Sequence, residues 1–398
     1  MAASFNVGSF NAIDTSETKK SKSSKSSKSG GSNNELRKKL ILFGGIILGI
    51  VVVIALVLFL LSVFMTPTYT YDDIENIMVN AAEAYFEDNP KRLPQSESQR
   101  VEIDVATLAA SEYMNPMTEY MGEDTSCDGQ VTVQTNGDGY MYVPRLDCGD
   151  DYVTQSLSEV VTSDIVTEGY GLYQVGDTYV YRGEEVNNYV QLETSLWRIV
   201  KITEDGNFML ILNGDMYESV PWDNRYNSDI GYNMGINTFS ASRIRDTLED
   251  LYDTDDEDRI ILSDDDRSKL VSFDLCTGKR NTNDTTKDNS VECTEVLEDQ
   301  MIGLLTATDY MMGSIDPNCT TVVDFSCQNY NYLAAPYKWW LVTAVNGVTD
   351  EAYGVSSSGV VENTTTASYM YPRPVVMLDS NVLFSEGKGT ENKPYRIK

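Results

Sequence analysis

Histidine is absent from all 398 residues of this chain. Its absence excludes the serine–histidine–aspartate and cysteine–histidine pairs that activate nucleophiles, and it excludes zinc sites built on imidazole ligands. Two kinds of chemistry need no histidine and stay open. These are glycoside hydrolysis by a pair of carboxylates and calcium binding by oxygen ligands.

Basic residues are scarce, since 30 lysines and arginines stand against 61 acidic residues and the formal net charge is −31. Residues 1–39 hold eight of the bases and three of the acids, so residues 40–398 carry 22 bases against 58 acids. A surface this acidic repels nucleic acids and anionic lipid headgroups. We therefore expect no nucleic-acid partner.

Charge is missing altogether from one long stretch, Leu40–Phe64, where Ser62 carries the single hydroxyl group. A helix of this length reaches roughly 37 Å, enough to cross a hydrocarbon core of ~30 Å. We therefore predict a transmembrane helix over residues 40–65. The alternatives are a cleaved signal peptide and a buried core helix. The apolar region of a signal peptide spans only about 7–15 residues and ends at small side chains, and a core helix of this length would be expected to carry some charge.

The basic residues before this stretch predict its orientation, because lysine and arginine stay on the cytoplasmic side of a membrane helix. Residues 1–39 are rich in serine and lysine and poor in apolar side chains, so we predict a disordered basic cytoplasmic tail. Residues 66–398 then lie outside. The predicted location is the cell membrane, with a single pass, the N terminus inside and the bulk of the chain extracytoplasmic.

Cysteine is confined to the predicted outer part, where six cysteines occur. An even number in an exported segment indicates disulfide bonds in an oxidising compartment, with free thiols as the alternative. The spacing favours three local pairs: Cys127–Cys148 around a hairpin, Cys276–Cys293 around a polar loop and Cys319–Cys327 around a shorter loop.

Residues 66–155 read as a helix followed by short strands. Apolar residues recur at helical spacing over Tyr71–Asp88, with acids in the first turn, and Asn136–Gly139 is a hairpin signal. This order of elements resembles the pilin-like modules of Gram-positive membrane-anchored surface proteins. The resemblance implies a small α+β stalk. It does not imply filament assembly, because the chain lacks a prepilin-peptidase site and Pro67 interrupts the helix.

Acidic residues cluster at Asp253–Asp258 and at Asp264–Asp266, after an amphipathic helix predicted over Ser240–Tyr252. Clustered carboxylates are the ligands that calcium prefers, but the run lacks the glycine and the terminal glutamate of a helix-loop-helix calcium site. A solvated helix end is the favoured interpretation and calcium binding the alternative. We expect no cofactor.

Residues 156–398 contain short motifs in a characteristic order: Leu196-Trp197-Arg198-Ile199, Ser242–Arg245, Leu304-Leu305-Thr306, Tyr337–Ala344, Ala352–Val361 and Pro372-Arg373-Pro374. They resemble an uncharacterised bacterial surface domain related to the C-type-lectin-like and formylglycine-generating-enzyme-like folds. The resemblance covers about residues 170–398 and implies a mixed α+β domain. The predicted fold class is thus α+β, with a transmembrane helix, a pilin-like module and a lectin-like C-terminal domain.

The same resemblance implies which residues form the core of this domain. The tryptophan pair and the arginine–proline strand would pack inside, with an internal ion pair for the arginine. Ligand contact is the alternative for these residues. The predicted core residues are Trp197, Trp339, Trp340 and Arg373.

The segment between those strands, about residues 345–371, is the predicted ligand-binding loop. It is rich in serine, threonine, asparagine and tyrosine, which offer adaptable hydrogen bonds and stacking surface. A solvated loop without a ligand is the alternative. The candidate ligand-binding residues are Tyr353, Asn363, Tyr369 and Tyr371.

We therefore expect a membrane-anchored extracytoplasmic binding or adhesion protein for glycan or protein ligands, and not an enzyme. Formylglycine-generating activity is not implied, because the cysteines read as structural. The alternatives are a carboxylate-dependent cell-wall hydrolase and a structural subunit of an envelope complex. Exposed aromatic residues on a shallow face would favour binding. Two buried carboxylates about 5–9 Å apart in a groove would favour the hydrolase.

Overall fold

The computed structural model describes Val53 and residues 69–398, apart from residues 97–98, 123–125, 137–138, 194, 215–217 and 254–260. The predicted cytoplasmic tail, residues 1–39, lies outside the described residues, and so does the predicted transmembrane helix, residues 40–65, apart from Val53. Residues Tyr69–Lys398 form one compact unit.

The fold class is mixed α/β and rich in strands, with mostly short helices. No helix in the described part of the chain is long and apolar enough to cross a membrane. The longest helix there, Tyr71–Asp88, carries acids along its exposed face and packs on a sheet. The predicted class, which began with a transmembrane helix, is therefore wrong, because paired strands carry the architecture of the described residues.

The helices are short segments between strands. In chain order they are α1 (Tyr71–Asp88), α2 (Val105–Ala110), α3 (Met117–Met121), α4 (Leu157–Val161), α5 (Arg243–Tyr252), α6 (Asp264–Ser268) and α7 (Ala307–Gly313). Single turns of 3-10 helix lie at Pro90–Arg92, Phe239–Ala241, Glu292–Thr294 and Phe325–Gln328.

The strands are β1 (Arg100–Asp104), β2 (Asp128–Asn136), β3 (Gly139–Asp147), β4 (Gly171–Val175), β5 (Thr178–Arg182), β6 (Tyr189–Gln191), β7 (Leu196–Ile202), β8 (Phe208–Leu212), β9 (Val220–Pro221), β10 (Leu270–Val271), β11 (Phe273–Cys276), β12 (Val296–Gln300), β13 (Gly303–Leu304), β14 (Trp339–Ala344), β15 (Glu351–Val355), β16 (Val361–Thr365), β17 (Tyr369–Met370), β18 (Pro374–Leu378), β19 (Phe384–Glu386) and β20 (Tyr395–Ile397).

The first hydrophobic core lies between α1 and an antiparallel sheet of order β1-β2-β3. Helix α1 begins at a capping box, in which the Thr70 hydroxyl accepts from the Asp73 amide while the Asp73 carboxylate accepts from the Thr70 amide. Such a box satisfies two amides that the helix itself leaves unpaired. One face of α1 is buried on the sheet, through residues that include Ile74, Met78 and Phe86.

The second hydrophobic core is organised by a larger sheet of order β10-β18-β8-β7-β6-β20-β19. Strands β8 and β18 are buried at every position, which is why both read as continuous apolar runs. A separate antiparallel sheet of order β14-β15-β16 packs nearby, and β17 pairs with β9. These two small sheets carry the residues 345–371 in which a ligand-binding loop was predicted.

Lys398 connects the two cores. Its ammonium group forms ion pairs with Asp72 and, at 2.5 Å, with Glu75 of α1, which is 2% exposed. The Tyr152 hydroxyl also donates to Glu75, at 2.8 Å. Burial opposes the charge on Lys398, but the hydrogen bonds that its ammonium donates to Asp72 and Glu75 outweigh this effect and raise the pKa of the amine. The two cores are therefore joined by a charge cluster in which Glu75 is buried and Lys398 is partly exposed.

Lys398→Met should lower the free energy of unfolding by about 2 kcal/mol, because it leaves the buried Glu75 carboxylate without its cation. Urea denaturation of the two proteins measures the difference. Lys393→Met is the matched control, since Lys393 is exposed and its hydrogen bonds to Thr390 and Lys388 are made by its backbone. Equal stability of the two variants would contradict a structural role for the Lys398 cluster.

Candidate functional site

All three predicted disulfide pairs are confirmed. Cys127 pairs with Cys148, Cys276 with Cys293, and Cys319 with Cys327. Each bond closes a short loop, of 21, 17 and 8 residues in sequence separation, respectively. Disulfides persist in oxidising compartments, so these bonds indicate an extracellular protein.

The predicted core residues are buried. Trp197, Trp339 and Trp340 are 0% exposed, and Arg373 is 3% exposed. The expected ion pair of Arg373 is not what the structure shows. Its guanidinium donates to the carbonyls of Leu212 (2.8 Å) and Leu333 (2.9 Å) and lies 5.1 Å from the centre of the Trp339 ring. Backbone carbonyls and an aromatic face therefore take the place of a carboxylate partner.

The four predicted ligand-binding residues occupy different environments. Asn363 is exposed on β16, and Tyr369 of β17 is 63% exposed. Tyr371 is half-buried and packs edge-to-face on Tyr337, with ring centres 5.6 Å apart. Tyr353 is 0% exposed, and its hydroxyl donates to the carbonyl of Arg280 at 3.0 Å. Tyr353 is therefore corrected to a core residue, because it points inward from β15.

A loop that carries no recognised motif, residues 222–237, lies beside Tyr369. Tyr369 pairs across the β9–β17 ladder with Pro221, just before the loop begins. Two hydrogen bonds extend this contact. The amide of Asp223 donates to the Thr366 carbonyl at 2.9 Å, and the Thr366 hydroxyl donates to the Met234 carbonyl at 2.5 Å. The loop is thus bonded to Thr366, in the turn that leads into β17.

Three buried polar side chains hold this loop in place. Asn227 donates to the carbonyl of Gly235 at 2.7 Å, and Asn237 donates to the carbonyls of Val345, Val348 and Glu351 at 2.8–3.1 Å. Asp223 accepts from Arg225 at 2.8 Å and 3.2 Å and from the amide of Ile236 at 3.0 Å. Each of the three is at most 1% exposed. Buried and satisfied polar groups of this kind specify one conformation.

Gly235 is required at the closest approach within the loop. Its φ is +73°, and a Cβ atom there would lie 2.1 Å from the carbonyl oxygen of Asp223. Any other side chain would therefore push the two arms of the loop apart, and glycine alone tolerates both the backbone conformation and the contact.

The rigid loop presents large side chains to solvent. Tyr226 is 63% exposed and Tyr232 is 70% exposed, with Ile230 and Ile236 at 36% and 39%. We call Tyr226, Tyr232 and Tyr369 the tyrosine surface. The signal in the sequence was compositional, since residues 225–237 read RYNSDIGYNMGIN and are rich in tyrosine, asparagine and glycine. No local pattern connects this segment to Thr366 or Val345.

The loop carries three charged side chains, Asp223, Arg225 and the exposed Asp229. Asp223 is neutralised by Arg225, whose side chain is 42% exposed. The hydrogen bond to Asp223 raises the pKa of the Arg225 guanidinium. Arg225, which precedes Tyr226 in the sequence, therefore stays cationic in a protein that is otherwise strongly acidic.

Three buried carboxylates outside this loop each have an ion-pair or hydrogen-bond partner. Glu292 pairs with Arg280, Asp309 with Lys201, and Asp266 accepts from the amides of Glu193 and Ser263. Burial opposes the charge on Asp309, but the Lys201 ammonium outweighs it and holds the pKa of that carboxyl below its ordinary value. A glycosidase needs a carboxyl whose pKa is raised. This arrangement gives the hydrolase alternative no support.

The acidic clusters proposed as calcium ligands have other roles where they are visible. Residues 254–260 lie outside the described residues. The Asp266 carboxylate accepts from the Ser263 amide in the capping box that begins α6. Asp264 pairs with Arg267, and Asp265 pairs with Lys269. Among the residues that the structure describes, no group of three or more acidic or cysteine side chains is arranged to hold a metal ion.

No family model, curated protein or solved structure matches this chain. The class of the molecule therefore follows from its own fold and bonds. It is a disulfide-bonded, extracellular, strand-rich α/β protein in which a rigid loop displays tyrosine side chains.

Proposed function

We propose that this protein is an extracellular binding protein that holds a glycan or protein ligand against the tyrosine surface. The observation that supports the proposal is a contrast within one loop. Its buried polar side chains, Asp223, Asn227 and Asn237, are hydrogen-bonded and its Trp222 lies in the core, whereas four other large side chains of the loop are exposed: Tyr226, Ile230, Tyr232 and Ile236. A folding core would have the opposite arrangement, because apolar burial is the main driving force of folding.

Rigidity makes such a surface effective for binding. A tyrosine ring offers a large contact area with two rotatable bonds, so little conformational entropy is lost when a ligand covers it. The backbone of residues 222–237 is already ordered by the bonds to Thr366, Val345 and Val348. A ligand would therefore bind without a large cost for ordering the loop.

The charge of the chain narrows the ligand class. With 22 bases against 58 acids over residues 40–398, long-range repulsion disfavours polyanionic ligands. Tyrosine rings can stack on the apolar faces of sugars or on protein side chains. Arg225 adds one partly exposed donor to the same loop, with its guanidinium oriented by Asp223.

The first core carries the module proposed as a stalk. Its helix α1 and sheet β1-β2-β3 are fixed to the second core by Lys398 and by the hydrogen bond from the Phe384 amide to the Gln155 carbonyl, at 2.9 Å. We propose that this module acts as a rigid spacer for the tyrosine surface.

The test is a screen of the full-length protein against arrays of neutral, cationic and anionic glycans and of extracellular proteins. Tyr226→Ala, Tyr232→Ala and Tyr369→Ala should each weaken the binding that is found by about 10- to 30-fold, the usual effect of truncating an aromatic residue at the centre of an interface. Surface plasmon resonance at two salt concentrations measures the change.

Tyr140→Ala is the matched control, because Tyr140 is 41% exposed on β3 and belongs to the other core. It should bind as the unchanged protein does. Two results would overturn the proposal: full binding by the triple tyrosine variant, or turnover of cell-wall glycans without retained binding.

A further inference from the structure

A buried cluster away from the tyrosine surface brings an amine, a carboxamide and a carboxyl group together. Lys201 lies on β7, Asn289 lies in the loop closed by Cys276 and Cys293, and Asp309 lies in the first turn of α7. The Lys201 Nζ donates to Asp309 Oδ1 at 2.7 Å, and the Asn289 Nδ2 donates to the same oxygen at 3.2 Å. Asp309 is 5% exposed and the Lys201 side chain 18%.

The hydroxyl of Thr306 also belongs to the cluster. Its contacts indicate which oxygen atoms of the cluster carry protons. Thr306 Oγ1 lies 2.9 Å from Asn289 Oδ1 and 2.7 Å from Asp309 Oδ2, and it accepts from the amide of Asp309 at 3.0 Å. A hydroxyl has one proton to donate and can accept twice. It cannot donate to both oxygens, so an ionised Asp309 leaves one close oxygen pair without a proton.

In the resting pair Asp309 is ionised beside the Lys201 ammonium, and the reactive form is the minor one in which a proton on Asp309 Oδ2 satisfies every one of these contacts. Asp309 then donates to Thr306, and Thr306 donates to the Asn289 carbonyl oxygen. The proton can come from Lys201, whose ammonium is hydrogen-bonded to the same carboxyl group. Transfer within this pair yields a neutral amine beside a carboxamide whose oxygen is polarised by a hydroxyl, and a neutral amine is a nucleophile.

We propose that Lys201 and Asn289 become joined by an intramolecular isopeptide bond. The Lys201 Nζ attacks Asn289 Cγ, and the developing charge on Oδ1 is stabilised by the Thr306 hydroxyl. Asp309 takes the proton released by the amine and passes a proton to Nδ2. The Cγ–Nδ2 bond then breaks and ammonia leaves. The products are one amide and one ammonia molecule, with no oxidation or reduction.

The fold supplies what such a slow reaction needs, which is a lasting approach of the two groups. The Asn289 backbone has a φ of +60°, and its carbonyl accepts from the Cys293 amide at 2.8 Å, next to the disulfide. Lys201 extends from a strand that pairs with β5 and β8. The new bond would tie this central strand to the loop of residues 276–293.

Intact mass spectrometry of the reduced full-length protein is the direct test. The measured mass should be lower than the mass of the sequence by one ammonia. After digestion, a branched peptide should join the segments around Lys201 and Asn289, because trypsin does not cleave after an acylated lysine. Lys269, which pairs with Asp265, serves as the internal control and should be cleaved normally.

Variants separate the chemistry from folding. Asn289→Asp should lose one water instead of one ammonia, since a carboxyl group then takes the place of the carboxamide. Lys201→Arg preserves the positive charge beside Asp309 and should show no mass loss, and Asp309→Asn should reduce the cross-linked fraction at least tenfold. An unchanged mass for the natural sequence, with separate peptides for Lys201 and Asn289, would overturn the proposal and leave the cluster as an ion pair.

Discussion

Arg280→Met is expected to lower the free energy of unfolding by about 3–5 kcal/mol, the usual cost of leaving one member of a buried ion pair alone. Arg280 and Glu292 are both 0% exposed, and Arg280 Nη1 lies 3.1 Å and 3.2 Å from the two carboxylate oxygens of Glu292. The same nitrogen donates to the Thr308 hydroxyl at 2.9 Å. Guanidinium chloride denaturation measures the loss.

The double variant Arg280→Met, Glu292→Leu is the control for this interpretation. Replacing both charges with apolar side chains is often neutral, so most of the lost stability should return. Arg396→Met provides a surface comparison, since the Arg396 and Glu386 side chains are 55% and 73% exposed. A double variant as unstable as Arg280→Met alone would show that shape, not charge, sets the cost.

Trp340→Ala is expected to lower the free energy of unfolding by about 3–5 kcal/mol, as large-to-small substitutions of buried aromatic residues do. Trp340 is 0% exposed, and its indole Nε1 donates to the Val220 carbonyl at 2.9 Å. Its backbone amide donates to the Tyr371 carbonyl at 3.1 Å. The substitution removes a core side chain and a bond to β9, the strand that leads into the tyrosine surface.

Because the indole no longer bonds to Val220 of β9, Trp340→Ala should also weaken ligand binding at temperatures where the variant is still folded. Thermal unfolding followed by circular dichroism gives the stability, and binding is measured well below the transition. Phe325→Ala is the comparison, since Phe325 is 72% exposed and its loss should change stability by less than about 0.5 kcal/mol. Equal effects of the two substitutions would contradict the core assignment of Trp340.

Local features of the fold were predictable. The predicted helix Tyr71–Asp88 has the bounds observed for α1, and the predicted helix Ser240–Tyr252 contains α5, which begins at Arg243. The three disulfide pairs were also found, since each joins cysteines that are close in sequence and enclose a hairpin or a loop. In each case the information lies within about 20 residues, because side-chain periodicity, capping and loop closure act over that range.

Residues whose role depends on distant partners were misjudged or missed. The segment Cys276–Cys293 was predicted as a polar surface loop, yet its Arg280 is fully buried by Thr308 and Glu292. Tyr353 was predicted at a ligand site and lies in the core. Lys201 meets Asp309 across 108 positions of sequence, and Asn237 meets Val345 across the same separation. No local sequence pattern predicts contacts between residues so far apart in the chain.

Several properties could be predicted without the structure: the exclusion of histidine-dependent catalysis, the acidic character of the chain, the cysteine pairs, and the local helices and hairpins. These follow from composition and from interactions between near neighbours. The tertiary structure alone decided which polar residues are buried and which tyrosines are exposed, because burial depends on how distant strands stack. The sequence predicted a ligand-binding surface within residues 345–371. In the structure the candidate surface combines Tyr369 with a loop some 140 residues earlier, which Asp223, Asn227 and Asn237 hold in place.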